Sequence, residues 1–474
     1  MDGLCDSLHN PGPGLSEYSQ AIQPVQVLGA RGLEITIANR YDFLTLDHLK
    51  CTWDIISDRN QIIGHGVHIP KGIKPHTQAT LVLMGDMPRT LAAGAFLELE
   101  FRQESPTPWA PTGHTVARAQ VPLTPPRSLA MIKSLSNQEF LSARPSLPNN
   151  AGATPGAGGI YPRVELRDEG RLYAVTISNG STFGFDTKSG ALSHLFHASA
   201  PDENLVTEPP TLDFYRALTD NDKGGPFGPE WRERRVHQTR QHFVRMTTSV
   251  SSSPSDEDEG GDSEGKAATV TIHSRVAPPA LAWSVDATTT YTFTASYCSV
   301  RVRAQPSGAL LPTTFARFGL TLGLRGVRVV EWFGRGPEES YRDRKSAQLF
   351  NTWGFPVDSP VLRHDYEVPQ DAGNRTDVRW VELRSDWGGE EATRLLRARF
   401  GDHEGASFSV SRYSAKDVDE CGHPYELHKR KREDCIVRFD WYHHGLGTGS
   451  CGPATLPKYQ LRTNQEFDVE LLLD

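Results

Sequence analysis

The chain has 474 residues, among them 42 glycines and 33 prolines, and its formal net charge is −8 at pH 7. This length predicts two or three domains, and the glycine and proline content favours turn-rich β-structure over helical bundles. The acidic balance argues against a nucleic-acid partner, and the lack of an apolar run of about 18 residues argues against a membrane span.

Cysteine usage indicates the cellular compartment. The six cysteines are Cys5, Cys51, Cys298, Cys421, Cys435 and Cys451. A few cysteines scattered through a long chain are typical of a reduced, intracellular protein rather than of a disulfide scaffold. The N-terminal residues have neither the basic region nor the apolar core of a signal peptide. We therefore expect a cytoplasmic protein.

Alternating apolar and polar residues predict antiparallel strands that are covered on one side. In chain order, the clearest runs are residues 33–37, 173–177, 269–273 and 299–303. Turn residues recur between these runs, which predicts packed β-sandwiches. Short helices are expected at residues 137–142 and 337–348.

Two changes in composition divide the chain. Residues 142–159 are rich in proline, glycine, alanine and asparagine, which is typical of a linker. Residues 251–266 combine serine, glycine and the acidic run 256–259, which predicts a disordered acidic loop inside a domain. The alternative is that this acidic run serves as an interaction tag.

Residues 439–456 carry the most informative pattern in the chain. An aromatic, strand-like run leads to His443 and His444, and then to a loop with four glycines and Cys451. Glycine permits close approach of the backbone to a ligand, and aromatic faces beside polar groups suit a sugar. The loop therefore either lines a binding site or simply connects two strands.

Four blocks of sequence, at residues 213–222, 330–344, 368–380 and 408–413, resemble the C-terminal part of family 2 β-galactosidases in order and spacing. The resemblance implies an all-β fold: an immunoglobulin-like β-sandwich followed by a large galactose-mutarotase-like β-sandwich, or supersandwich. It divides the chain into a strap at 1–23 that resembles the end of the catalytic TIM barrel, the first sandwich at 24–125, a linker at 126–160 and the large sandwich at 161–474. The last part resembles the family's small chain, and the barrel is absent.

The missing barrel determines the expected chemistry. Retaining glycosidases use two carboxyl groups about 5–5.5 Å apart, and the resemblance implies that both belong to the barrel. It also implies that the family's magnesium and sodium ions are bound largely by domains outside this chain. We therefore expect no catalytic residue, no metal site and no cofactor here, and we interpret the adjacent Glu338 and Glu339 as part of a turn or helix start.

Two further patterns invite a metal interpretation. Cys421, His423, His428 and Cys435 meet only half of the usual spacing for zinc ligands. Residues 220–222 begin like a calcium loop but lack its later glycine and glutamate. The resemblance implies instead that residues 220–222 form a turn whose charged side chains pack against Arg216.

The resemblance also implies a wall and a closing loop for a galactoside site. The candidate residues are Cys451, His443 and His444 for the wall, and Asp371, Gly373 and Arg375 for the closing loop. The first interpretation is the C-terminal portion of a β-galactosidase, the hydrolase of terminal β-D-galactose, which acts with a barrel-bearing chain or as a homo-oligomer. The alternatives are a non-catalytic carbohydrate-binding module and an aldose mutarotase-like protein. A separate subunit and an incomplete gene product both fit the first interpretation.

Overall fold

The computed structural model describes residues 4–5, 8–58, 60–86, 88, 90–142, 162–167, 170–197, 200–251, 267–386 and 393–474. The predicted acidic loop lies outside the described residues except for its first residue, and so does most of the predicted linker. Strands make up 47% of the structure and helices 12%, which confirms the all-β class. The chain divides into two compact units, which we call unit 1 (Met1–Ser128 and Lys345–Thr352) and unit 2 (Leu129–Arg344 and Trp353–Asp474).

The described residues of unit 1 form one α-helix, one 3-10 helix (Leu46–His48) and two antiparallel sheets. Its elements are α1 (Pro13–Ile22), β1 (Val25–Arg31), β2 (Glu34–Asn39), β3 (Leu49–Ile56), β4 (Ile62–His68), β5 (Gln78–Val82), β6 (Gly85–Asp86), β7 (Phe96–Gln103) and β8 (Thr115–Pro122). The sheets have the orders β1-β2-β5 and β6-β4-β3-β7-β8. Every second side chain of β3 is buried, including Trp53, so one face of this strand packs into the core of the unit.

Unit 2 begins with α2 (Leu129–Ser142) and contains most of the strands. Its first half comprises β9 (Arg163–Arg167), β10 (Leu172–Thr176), β11 (Thr182–Asp186), β12 (Leu192–His197), β13 (Ala200–Asn204), β14 (Val206–Asp213), α3 (Asp220–Gly224), α4 (Phe227–Glu233), β15 (Arg240–Ser251), β16 (Ala267–Ala277), β17 (Trp283–Phe293) and β18 (Cys298–Gly308). Its second half comprises β19 (Arg317–Leu324), β20 (Val329–Gly336), β21 (Leu349–Pro356), β22 (Arg375–Thr376), β23 (Trp380–Arg384), β24 (Arg394–Arg399), β25 (Ser407–Ser411), α5 (Ala415–Asp419), α6 (Pro424–His428), β26 (Cys435–His443) and β27 (Phe467–Leu473). The first four residues of β21 belong to unit 1.

Three sheets build unit 2. Their orders are β13-β12-β11-β10-β9, β14-β19-β26-β25-β22 and β15-β16-β17-β18-β27-β24-β23-β20-β21. Side chains from all three sheets meet in one large apolar cluster, to which Phe183, Leu320 and Trp332 contribute. The four runs predicted as strands lie in β2, β10, β16 and β18 to within one residue. Alternating burial confirms the one-sided cover of β2, β16 and β18, but the first four side chains of β10 are all buried, so the prediction of one-sided cover is wrong for this strand. In β18 the side chains of Val300 and Val302 are buried while the arginines beside them are exposed.

The two predicted helices had different outcomes. Residues 137–142 do lie in a helix, α2, which begins at Leu129 and so occupies part of the predicted linker. The helix predicted at 337–348 is wrong, because this segment runs as turns. Its backbone is used by other partners: the Ser340 amide donates to the Asn374 carbonyl at 2.8 Å, and Tyr341 pairs with Arg344 across a turn. These contacts replace the i to i−4 bonds that a helix would need.

No helix in the described part of the chain has the length and apolar character required to cross a membrane.

Candidate functional site

The loop at residues 444–456, which we call the glycine loop, follows directly on β26. This strand lies between β19 and β25 in its sheet, and all its side chains except that of Tyr442 are buried. A central strand buried on both faces gives the loop a rigid starting point. The glycine loop therefore begins where the core of unit 2 ends.

Arg216 holds the first residues of the glycine loop. Its side chain is fully buried and donates to both carboxylate oxygens of Asp222, at 2.8 and 3.1 Å. The same guanidinium donates to the backbone carbonyls of His444 at 2.8 Å and Gly445 at 3.0 Å. The packing of Asp222 on Arg216 agrees with the sequence prediction, although residues 220–222 begin the short helix α3 rather than a turn.

His443 and His444 are buried and neutral. Nδ1 of His443 lies 3.1 Å from the Arg216 guanidinium and 3.1 Å from the carbonyl oxygen of His444. The amide of Leu461 donates to Nδ1 of His444 at 3.1 Å, and the His444 ring packs edge-on against Trp231. Burial, and then the charge of Arg216, hold the pKa of both histidines well below the usual 6.5. Both rings thus serve as neutral packing and hydrogen-bonding groups.

Asp343 and Asn221 hold the middle of the glycine loop. The two carboxylate oxygens of Asp343 accept the amides of Leu446 and Gly447, each at 2.8 Å. Asn221 donates from its amide nitrogen to the carbonyl of Gly447 at 3.0 Å. Its oxygen accepts the amide of Ser450 at 3.2 Å and the hydroxyl of Ser450 at 2.7 Å. Two side chains that are distant in sequence therefore define the shape of the loop.

The glycines of this loop have a packing reason. A Cβ added at Gly445 would lie 2.6 Å from Oδ2 of Asp343, and one at Gly449 would lie 2.6 Å from the carbonyl oxygen of Asn221. The neighbour of Gly449 is backbone, so this position requires glycine for the loop to pack on its own unit, whereas a side chain at Gly445 would displace the Asp343 carboxylate. The sequence pattern had suggested close approach of a ligand, and the structure supplies a different neighbour at these positions.

Cys451 lies at the exposed tip of the glycine loop. Its amide donates to the Thr448 carbonyl at 3.1 Å, which closes a tight turn, and its thiol is exposed. The Ser450 hydroxyl lies 3.9 Å from this thiol. The loop thus presents a thiol to solvent from a backbone that is held at several points.

Asp371, the first residue predicted for the closing loop, is connected to β26. Its carboxylate accepts the hydroxyl of Tyr341 at 2.8 Å and a guanidinium N–H of Arg438 at 3.2 Å. The ring of Tyr341 in turn packs edge-on against His443, with centroids 5.4 Å apart. Through Tyr341, the structure brings Asp371 and His443 into one cluster.

Gly373 is held by a buried carboxylate. It has a positive φ of 82°, and its amide donates to Oε2 of Glu339 at 2.8 Å. Glu339 also accepts the hydroxyl of Tyr366 at 2.6 Å and an N–H of Arg344. Burial raises the pKa of Glu339, but Arg344, Tyr366 and the Gly373 amide together outweigh it and hold that pKa below 4.5. The Glu339 carboxylate is therefore ionised and committed to this segment.

Arg375 is buried and bonded to backbone carbonyls. It donates to the carbonyls of Leu362 and Gly373, each at 2.6 Å, and of Pro337 at 3.0 Å. Its guanidinium lies over the ring of Trp332, 5.3 Å from the centroid. Burial lowers the pKa of Arg375 to about 10, because no carboxylate is bonded to it among the described residues. Arg375 therefore stabilises the backbone of the segments around it.

Sequence reasoning missed Asn221, Asp343 and Tyr341 as parts of this arrangement. Asp343 and Tyr341 lie in one of the blocks that carried the family resemblance, but each contacts residues about 30 to 100 positions away. Such pairing has no periodic signal in the sequence. The acidic and aromatic residues of this block were the sequence feature that could have identified Asp343 and Tyr341 as candidates.

No group of three or more histidine, cysteine, aspartate or glutamate side chains is positioned for a metal ion within the described ranges. Of the residues in the weak zinc pattern, His428 lies 3.0 Å from the carboxylate of Asp365, and Cys435 is buried with its thiol towards the Val327 carbonyl. All six cysteines are free.

Residues 177–473 match the family model described as "Beta galactosidase small chain", which is more than half of the chain. The chain belongs to the beta-galactosidase small-chain family. Residues 35–124, in unit 1, match the model described as "Beta-galactosidase, domain 4". The small-chain match covers most of unit 2, including the glycine loop.

Curated relatives of this small-chain protein match it over nearly its full length. The β-galactosidase of Kluyveromyces lactis is 26% identical over 475 residues, which cover 99% of this chain and 39% of that protein. The β-galactosidase of Arthrobacter sp. (strain B7) is 28% identical over 484 residues, covering 98% of this chain and 42% of that protein. The chain thus spans about two fifths of the length of the curated relatives it matches.

Similar solved structures include a galactose mutarotase related enzyme from Lactobacillus acidophilus, with a TM-score of 0.32 and 8% identity over 64% of this chain and 96% of that one. The galactosidase domain of an α-galactosidase–sucrose kinase has a TM-score of 0.32 and 11% identity over 66% of this chain and 41% of that one. The family of the small-chain protein is assigned by the sequence matches alone.

Proposed function

We propose that this chain forms part of a β-galactosidase, in which it supplies one wall of the galactoside site and an assembly surface. A barrel-bearing chain or segment supplies the catalytic carboxylates and largely binds the magnesium and sodium ions. The observation that carries the proposal is the match of 99% of this chain to only 39% of a protein named β-galactosidase. Hydrolysis of terminal β-D-galactose is in this proposal a property of the assembled protein.

The state of the buried acids supports this division of labour. Among the described residues of unit 2, the six buried carboxylates are each paired with an arginine, and the pairs are Asp222–Arg216, Glu339–Arg344, Asp371–Arg438, Asp377–Arg335, Glu382–Arg397 and Asp440–Arg317. A retaining glycosidase needs one carboxylate to attack the sugar and another to exchange a proton. Carboxylates whose oxygens are occupied by an arginine are poorly placed for both tasks, since either task requires an oxygen that faces the sugar.

The glycine loop supports the proposed wall. Asp343 and Asn221 hold its backbone, while Cys451 at its tip is exposed. A loop that is ordered in advance loses less conformational freedom when a ligand binds. We assign the contact with the galactoside to Cys451.

The other candidate residues have a supporting role in this proposal. His443, His444, Asp371 and Arg375 are all buried, and the Gly373 backbone is held by Glu339. From these positions they fix the end of β26 and the segment at residues 371–375, which support the glycine loop in this proposal. They are positioning residues, whose substitution alters the wall through its shape.

Complementation tests the proposal. The purified chain is mixed with a β-galactosidase chain that ends after its barrel, and aryl-galactoside hydrolysis is measured for the mixture and for each chain alone. The proposal predicts a rate for the mixture well above the sum of the separate rates. No gain over the barrel chain alone would contradict it.

Calorimetry of the chain alone separates this proposal from a carbohydrate-binding module. One wall lacks most of the polar groups that orient a sugar, so binding of galactose or lactose should be weak, with a Kd in the range of about 1 mM or above. Binding at low micromolar Kd without the barrel chain would favour the module.

A further inference from the structure

Unit 2 contains a charged cleft that does not include the glycine loop. Its volume is about 890 Å³, and it is lined by Thr207, Arg325, Gly326, Arg328, Asp358, Arg412, Lys431, Arg432, Glu433 and Asp434. The lining comes from β14, from the connection between β19 and β20, and from the segments that follow β21 and β25 and precede β26. Eight of these ten residues carry charge, so the cleft is suited to a charged ligand rather than an apolar one.

The charge of the lining is opposite in sign to that of the whole chain. Five lining residues are arginine or lysine and three are aspartate or glutamate, which leaves two positive charges in excess. The complete chain has a net charge of −8. A concave surface of one dominant sign concentrates its potential and attracts counter-ions of the other sign.

Two of the three lining carboxylates are already committed. Asp358 accepts Arg412 at 3.3 Å and Lys431 at 3.0 Å, so one negative charge serves two cations. Asp434 accepts the hydroxyl of Thr207 at 2.6 Å. Arg432 is paired with Glu208 at 2.7 Å and with Asp417 at 3.3 Å, two carboxylates outside the lining. Three of the five lining cations are therefore already in ion pairs.

Arg325 and Arg328 have no ion-pair partner for their guanidinium groups among the described residues, and both are exposed. Their backbone is nevertheless fixed, because the Arg325 amide donates to the Leu205 carbonyl and the Arg328 amide to the Arg384 carbonyl, each at 2.9 Å. Gly326 between them has a φ of +75°, which sets a tight turn. Two unpaired guanidinium groups thus stand on a short, held turn at the cleft.

We propose that this cleft binds the phosphate group of a small molecule through Arg325 and Arg328. A guanidinium fork matches two oxygens of a phosphate and forms charge-assisted hydrogen bonds with them. A phosphate monoester carries about −1.5 to −2 charges at pH 7, which corresponds to the two lining cations, Arg325 and Arg328, that have no ion pair among the described residues. Free inorganic phosphate and a phosphorylated sugar share this chemistry. The inference is independent of the proposed galactoside site.

Isothermal titration calorimetry on the full chain, at constant ionic strength, tests the inference with inorganic phosphate and glucose 6-phosphate as probes and glucose as the uncharged reference. We expect saturable binding of at least one phosphate probe and none of glucose. Arg325→Gln and Arg328→Gln should each weaken it about tenfold or more, because each removes a charge-assisted contact. Glu433→Gln should strengthen binding, because it removes the carboxylate of the lining that opposes the ligand.

Matched controls change the same charge elsewhere in unit 2. Arg240→Gln and Glu466→Gln alter exposed side chains outside the cleft, and we expect them to leave the Kd unchanged. All variants replace exposed residues, and circular dichroism with thermal unfolding verifies that each remains folded. These controls separate a local site from general attraction between charges.

Two outcomes distinguish the sources of the phosphate, and both support the inference. Glucose 6-phosphate binding about tenfold or more tightly than inorganic phosphate indicates a phosphorylated metabolite, whereas equal affinities indicate free phosphate. The inference is overturned if neither probe binds saturably. It is equally overturned if the Arg325→Gln, Arg328→Gln double variant binds phosphate as the original chain does.

Discussion

Asp343 accepts the backbone amide of Gly447 at 2.8 Å, although 104 residues separate the two in the sequence. The other oxygen of the same carboxylate accepts the adjacent amide of Leu446. One side chain in the β20–β21 connection thereby holds two consecutive amides of the glycine loop. The shape of the loop depends on this long-range contact as well as on its own glycines.

Asp343→Asn should loosen the glycine loop without unfolding unit 2. Asparagine replaces one carboxylate oxygen with an NH2 group, so the backbone amide that faced this oxygen loses its acceptor. Each lost charge-assisted bond contributes about 1.5–3 kcal/mol. We expect the Leu446 and Gly447 amides to exchange hydrogen about tenfold faster or more in mass spectrometry. The exposed Asp286→Asn is the matched control. Unchanged exchange in the Asp343 variant would show that the carboxylate does not hold the loop.

Gly449→Ala should displace or destabilise the glycine loop. The new Cβ would lie 2.6 Å from the backbone oxygen of Asn221 and 3.0 Å from Gly225, and neither backbone can move as a side chain could. Overpacking of this kind costs about 1–3 kcal/mol, which urea unfolding measures. Gly422→Ala is the control, because its Cβ would meet only the Glu426 carboxylate, at 3.6 Å. Equal midpoints for the two variants would refute this packing explanation.

The buried histidines predict how stability depends on pH. His443 and His444 have a pKa well below 6.5 in the folded chain, through burial and the nearby Arg216. Below pH about 6.5 the unfolded chain binds protons that these folded imidazoles do not, so the free energy of unfolding falls as the pH decreases. Each such group contributes a slope of up to about 1.4 kcal/mol per pH unit.

Urea unfolding at pH 7.5, 6.5 and 5.5 measures this slope. His443→Gln removes one of the two groups, while its amide oxygen can still accept a hydrogen bond from Arg216. Between pH 6.5 and 5.5, the number of protons taken up on unfolding should therefore be smaller by about one, and the slope of the unfolding free energy against pH should decrease accordingly. The exposed His242→Gln is the control. A slope for His443→Gln equal to that of the original chain would mean that His443 titrates alike in the folded and unfolded states.

Glu339→Gln should release the segment around Gly373. The substitution removes the carboxylate that binds Arg344 and leaves that guanidinium partly buried without its partner. Breaking a buried pair on one side costs about 3 kcal/mol, near the lower end of the usual range because Arg344 is 24% exposed. Denaturant unfolding measures the loss, with the exposed Glu367→Gln as control. A loss no larger than that of the control would contradict the anchoring role of Glu339.

Local patterns predicted the strands but not the contacts between distant segments. Alternation in β2, β16 and β18 is a property of neighbouring residues, so the sequence displays it. The segment 337–348 has charged and polar residues compatible with a helix, yet Ser340 and Glu339 are bonded to Asn374 and Gly373, more than thirty residues away. Tertiary partners decided the conformation there.

In the candidate site too, the sequence indicated local features but not the contacts between distant segments. The glycine loop and Cys451 could be identified from composition, and the resemblance pointed to Asp371, Gly373 and Arg375. Their burial could not be predicted, because it depends on carbonyls and rings supplied by other strands. A charged residue in a sequence is expected at the surface, and a fully buried arginine such as Arg375 is an exception that only its partners explain.

The most direct test of the proposed wall is the alkylation rate of Cys451 in the complemented enzyme, with and without a non-hydrolysable thiogalactoside. Iodoacetamide labelling is followed by mass spectrometry, and the exposed Cys5 in the same sample serves as the internal reference. If Cys451 faces the sugar, the thiogalactoside should slow its alkylation severalfold while the rate at Cys5 stays the same. An unchanged rate at Cys451, at a thiogalactoside concentration that inhibits hydrolysis, would contradict its place in the galactoside site.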